Sequence, residues 1–454
     1  MRPTLPCALL PLLAAAGDPA ASAFTARLVP ADTPLLAQVM HAEELPVAGA
    51  IPLGSGIPCA PAERGALRID PAGSGAWRTV TATAAIDVAI PGSTPRRSVR
   101  IRLAPAGGGW TWRMLTQAQF SLGSDALIAV DLNGNGSWND VGVDGLAWAG
   151  QRYAFPFPGP GEAWCTPSQV VTGFTLAADG SGGSASLAPL ATTLPSTLPI
   201  LHGINQERVL LGLTPRPEDS RLSADLQKHC AWMRINDRID HPEAEGTPGR
   251  TAEGHAAGMR SILSAGVPAG RMAWTFMGTF YHRIDVMRPE TLAFGVGIDG
   301  RYGGIDGRTA MAKRMAITWP ILCPAPFQTG VPLRFNGPEM PDPAPGDEHT
   351  GYPIIAYFGG GKPTFTAHRL VAVAANGAES APIDCLSYDH QQGGDVVFNR
   401  DHRMLGLLPR DPLAAQTRYR VTMAGTVGGK PWSRTWDFAT GDGRAPGQGS
   451  GRRR

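Results

Sequence analysis

Residues 279–290 read TFYHRIDVMRPE. Two aromatics, Phe280 and Tyr281, run into His282 and Arg283, and Asp285 and Pro289 follow. An imidazole beside a guanidinium could serve as a general base next to an anion clamp. The same residues could instead build a corner, with Arg283 and Asp285 pairing to pin the turn into the strand pattern LAFGVGID at 292–299. The segments before it carry helical spacing. ILHGINQERVLLGL (200–213) repeats apolar residues at that step, and SRLSADLQKHCAWMRIND (220–237) places Leu222, Leu226, Cys230 and Met233 on one stripe. Pro217 and Asp219 stand where a helix start is expected. Further helices are expected around 252–264 and 271–280. Helices with a strand in so short a span indicate an α+β domain.

On either side the texture is different. AWRTVTATAAIDVAI and RRSVRIRLAP alternate at a two-residue period, with GGGW, GSGGS and PGPG as turns, so residues 24–195 read as a β-rich domain. The pattern is irregular before residue 70, and 178–199 reads as a run-out into a linker. After the central domain (196–312), the strands YPIIAYF, TAHRLVAVAA, TRYRVTMAGTV and SRTWDFAT, with a GGK hairpin turn, fill 316–441. About seven short strands in such a span suggest an immunoglobulin-like sandwich. Residues 442–454, ending GRRR, read as a disordered tail.

The chain has 454 residues, which makes several domains the natural expectation. Lys+Arg (40) and Asp+Glu (38) nearly balance, so no nucleic-acid footprint shows. The start, MRPTLPCALLPLLAAAGDPAASAF, has the outline of a signal peptide over 1–23. No later run reaches the roughly 20 apolar residues of a membrane span. Export is therefore expected, and it permits disulfides. With Cys7 removed, five cysteines remain; Cys59–Cys165 and Cys323–Cys385 are the expected pairs, with Cys230 a buried thiol.

Four segments in order resemble the CAP superfamily, the group of cysteine-rich secretory proteins, antigen 5 and plant pathogenesis-related proteins. They are INQERVLLGLTP, LSADLQKHCAWMRINDRIDHPE, TAEGHAAGMRSIL and TFYHRIDVMRPETLAFGVG. Exported bacterial members are the nearer likeness. The resemblance implies an α-β-α sandwich with a cleft, which in many members is lined by two histidines and two glutamates able to hold a divalent metal such as zinc. Here His241 matches. Glu253 or Met259 takes the first glutamate position, depending on register. TFMGTFY offers no acid for the second, and no late histidine follows. A zinc site would rest on His241, Glu253 and His255, and His282 and Arg283 would line the cleft wall. PLAAQTRYRVTMAGTVGGKPWSRTWDFATG (412–441) resembles bacterial immunoglobulin-like modules.

Three further features carry chemistry. In DLNGNGSWNDVGVDG (131–145), Asp131, Asn133 and Asn135 alternate ahead of Gly136, as in a calcium loop. Position 12 is Gly142, so Asp140 and Asp144 would have to substitute. The other reading is a hairpin whose Asn and Asp side chains cap their own backbone. His229 lies at the edge of its helical stripe and reads as a hydrogen-bonded rim residue. Glu243 and Glu245 are two apart in a loop, a spacing that defines no hydrolytic geometry. GxSxG and HExxH are absent. The expected function is an extracellular module binding a small molecule, lipid or glycan. The alternative is a hydrolase of peptide or cell-wall polymer using His241, Glu253 and His282.

Overall fold

The computed structural model describes residues 21–30, 45–93, 97–148, 153–312, 320–337, 339–346, 349–392 and 403–443. It is β-rich, with seven sheets among the described residues. Most of the predicted leader and tail lie outside them. Ser22 and Ala23, at the expected end of the leader, pair with Ala185 and Ser184 in a sheet.

The N-terminal strands form as their alternation dictates. Ser98–Ala106 pairs with Ala84–Ala89 and with Gly109–Met114. Val99, Ile101, Leu103 and Trp112 point into the core, while Asp87 and Arg100 pair outside at 2.8 Å. Two expectations are corrected. Strands Arg27–Pro30, Ile57–Pro61 and Leu67–Ile69 occupy the stretch that looked irregular. The supposed linker contains Gly182–Pro189, a strand paired on both sides. Its residues are glycine, serine and alanine for the most part, which show no hydropathy contrast between its two faces.

In the centre, Ile262–Ala265, Tyr302–Asp306 and Gly295–Asp299 make a three-stranded antiparallel sheet, in that order. Successive residues face opposite sides. Leu263 and Tyr302 pack with Leu226, Cys230, Trp232 and Met233 of α2 (Ser220–Ile235) and Ala257 of α3 (Ala252–Arg260). Ile262, Val296 and Ile305 pack on the other face, with residues of α1 (Leu198–Leu210), α4 (Met272–Met277) and α5 (Arg283–Met287). Gly297 lets α2 lie close: a Cβ there would stand 3.1 Å from the Cys230 Sγ.

The C-terminal strands form two sheets. One runs Ile321–Cys323, Ile354–Tyr357, Met404–Pro409, Cys385–Tyr388; the other runs Thr364–Val373, Arg418–Val427, Lys430–Ala439. Their apolar faces join the core that already contains α1, α4 and α5.

The expected disulfides are not formed, and the five described cysteines are free thiols. Cys323 and Cys385 sit on opposite edge strands of one four-stranded sheet. Three strand spacings separate them by about 14 Å, against a Cα limit of about 7 Å for a bridge. Cys59 and Cys165 lie in different sheets and different core clusters. Burial pushes the Cys59 thiol up to about 11 and that of Cys385 to about 12, which keeps both protonated at neutral pH.

Candidate functional site

Two polar clusters lie in the central segment. The first joins α2, α3 and the loop between them. α2 starts at Asp219, whose side chain accepts the N–H groups of Arg221 and Leu222. Thr251 caps α3 by accepting from Gly254 N–H at 2.9 Å. His229 on α2 is fully buried, as is the Glu243 side chain. The His229 Nδ1 lies 3.0 Å from Glu243 Oε1 and its Nε2 lies 2.9 Å from the Asp240 carbonyl oxygen. Glu243 Oε2 accepts from Thr251 N–H at 2.8 Å, and the Glu243 N–H donates to His255 Nδ1 at 3.1 Å. His241 donates from Nδ1 to the Gly258 carbonyl at 2.8 Å.

Gly254 and Gly258 share one face of α3 and leave room for this pair. A Cβ on Gly258 would stand 2.4 Å from His229 Cε1, and one on Gly254 would stand 2.5 Å from Glu243 Oε1. Nε2 donates to the Asp240 carbonyl, which can only accept, and Nδ1 meets the Glu243 carboxyl. Burial pushes the imidazole's pKa down, against the pull of Glu243. All these bonds stitch the 236–251 loop to two helices. His229, read from sequence as a rim residue, is at the centre of the cluster.

The predicted zinc residues are spread over this cluster. Glu253 is exposed and faces Lys228 at 3.5 Å; a hydrogen bond from its own backbone N–H, and then the Lys228 charge, hold its carboxyl below the usual range. His241 and His255 each spend Nδ1 on backbone. Among the described residues no group of three His, Cys, Asp or Glu side chains is arranged to hold a metal ion.

The second cluster is the opening stretch itself. His282 precedes the short helix α5, and its Nδ1 lies 2.7 Å from Glu339 Oε1. The Glu339 carboxylate, buried, also accepts the N–H groups of Phe280, Tyr281 and His282 at 2.7–2.8 Å. One acid 57 residues further on thus takes four donors from a single turn. Arg283 is fully buried and donates to the carbonyls of Thr279 and Pro353 at 2.5 and 2.7 Å. Its guanidinium lies 3.4 Å from Cys323 Sγ and 4.6 Å above the Tyr352 ring. Glu207 on α1 is half-buried beside it; burial pushes its carboxyl up to about 7, with Arg283 opposing.

The expected Arg283–Asp285 pair does not form. Asp285 instead accepts from Arg308 Nε at 2.7 and 2.8 Å and lies 3.4 Å from Arg288. Positions two apart do not face each other on a helix, so the turn of α5 points the two side chains apart. Among the described residues His241 and His282 share no hydrogen-bond partner.

The 131–145 loop turns its acids inward. Asp131 accepts from the N–H groups of Gly134, Asn135 and Gly136, and Asp144 from those of Leu132 and Asp140. The amides of Asn133 and Asn135 both donate to Asp140 Oδ2 at 2.6 Å. These are self-capping turns. Burial raises the Asp131 carboxyl to about 6 and that of Asp144 to about 7. The folded loop therefore holds protons that the unfolded chain, near 3.8, has already released. Its contribution to stability is full below that value and is lost as pH rises to about 7. Asp144→Asn is expected to flatten the fall in melting temperature between pH 4 and pH 7. An unchanged slope in calorimetric scans would refute this.

Neither protein-family models nor curated proteins match the chain. A solved structure of an extracellular protein containing a SCP domain, from Bacillus anthracis str. Ames, aligns over 54% of this chain and 86% of that one at 10% identity. Its TM-score is 0.21, too low to establish a shared fold. Among the described residues no helix is long and apolar enough to cross a membrane.

Proposed function

We propose that the chain is a secreted binding module with a CAP-like centre, flanked by a β-rich N-terminal unit and an immunoglobulin-like C-terminal sandwich. The helices on both faces of the central sheet support the first assignment. For the last, the C-terminal strands, lettered A to G in chain order, fall into sheets ABED and CFG, the immunoglobulin constant-type arrangement. The ligand is a glycan, lipid or small molecule taken by the central cleft.

One observation carries the choice of binding over hydrolysis. His229 and the buried acids Glu243 and Glu339 spend their polar atoms on backbone and on histidine rings. A specific observation favours the hydrolase alternative. Glu339 orients the ring of His282 through Nδ1, while Nε2 has no hydrogen-bond partner among the described residues and the side chain keeps 18% exposure. That is how a carboxylate positions a general base.

Dye-labelled peptidoglycan and phosphatidylglycerol vesicles test the two readings together. The expected result is co-sedimentation with one of them and no release of soluble dye. Dye release that disappears in His282→Ala would establish the hydrolase. Failure to bind or cleave either would remove the proposal.

A further inference from the structure

A groove of about 580 Å³ opens between residues 24–27 and the hairpin of Thr116–Leu122 and Asp125–Val130. The volume is in the range of ligand clefts, ~300–1,000 Å³. The chain changes sheets here. Ser22–Thr25 pairs with Gly182–Pro189, and the Ala26 N–H donates to the Ser181 carbonyl. Arg27–Pro30 then pairs with Thr116–Leu122, which belongs to another sheet. That pairing stops at Gln119↔Arg27, whereas Thr116–Leu122 stays paired with its hairpin partner as far as Leu122↔Asp125.

Among the described residues, 120–122 therefore have a paired strand on one side only. The two-residue turn at 123–124 is closed by Leu122↔Asp125, so ladder bonds toward the hairpin partner fall at Leu122 and Phe120. Ser121 turns its N–H and C=O to the open side, and it lines the groove. Phe24 and Phe120, stacked at 4.9 Å, supply an apolar wall. Arg27 lines the groove and is exposed, and among the described residues no carboxylate lies within ion-pair distance of it.

We propose that this groove binds an extended, acidic peptide segment of a partner protein as an added strand. The partner's backbone bonds to the open edge at Ser121. An apolar side chain of the partner packs on Phe24 and Phe120, and a carboxylate pairs with Arg27. A ladder edge left free by the described residues selects extended backbone over sugar or lipid, and a guanidinium that none of them pairs selects an acid. The inference rests on the N-terminal sheets and is independent of the central cleft.

The probe is fluorescein-labelled Thr-Val-Thr-Val-Glu, followed by anisotropy at low and high salt with the full chain. Saturable binding is expected, weakened about tenfold or more by Arg27→Glu. The same peptide N-methylated at alternate amides is expected to lose binding, a control that leaves the protein's folding untouched. Amide exchange at Ser121 should slow when the parent peptide is bound. Equal binding of the parent and methylated peptides, or no saturation up to about 1 mM, overturns the proposal.

Discussion

Glu243→Ala is expected to lower the unfolding free energy by about 3–5 kcal/mol, the usual cost of removing one partner from a buried pair. The carboxylate has no exposure, and it serves His229 and the Thr251 N–H at once. Its loss strands the His229 Nδ1 in the core and frees the entry to α3. His229→Ala should cost a similar amount. The double variant should cost clearly less than the sum, because both changes break the same contact. Urea titrations of the four proteins measure this. A loss below 1 kcal/mol for Glu243→Ala, or strict additivity, would show that the pair does not hold the loop.

Glu339→Ala should be comparably damaging, through different bonds. It leaves three backbone N–H groups and the His282 Nδ1 without their acceptor. An unmet buried donor costs about 1–3 kcal/mol, and water entering the gap will recover part of the total. Glu339→Gln should restore only part of the loss: its oxygen can replace Oε1, which serves Tyr281, His282 and the ring, but its NH2 would then face the Phe280 N–H. Hydrogen exchange at Phe280, Tyr281 and His282 should accelerate in both variants while α2 amides keep their protection. Uniform acceleration along the chain would instead assign Glu339 to global stability, and unchanged exchange would refute the clamp.

These two carboxylates mark the limit of what spacing reveals. Glu243 was visible only as one of two acids in a loop, and nothing beside it in sequence identifies His229, fourteen residues earlier, as its partner. Glu339 lies 57 residues from the turn it caps. α1 and α2 were legible because their apolar residues repeat at helical spacing, and Asp219 caps α2 where it was expected to, but the helix expected over 252–264 ends at Arg260 and Ile262–Ala265 is a strand. The strand Gly182–Pro189 was missed because its small residues hide which face is buried. The cysteines misled because position along the chain says nothing about strand order: Cys323 and Cys385 share a sheet but sit on its opposite edges.

TFYHRIDVMRPE thus changes character in three dimensions. Its composition alone pointed to chemistry, with a histidine, an arginine and an acid in seven residues. The sequence by itself determined the local elements wherever a helix or strand period shows, because those periods are properties of neighbouring residues. Only the tertiary structure decided the partners. Arg283 went to the carbonyls of Thr279 and Pro353, Asp285 to Arg308, and His282 to Glu339. A buried charge must be satisfied by whatever the fold brings within about 3 Å, and sequence distance does not enter that requirement.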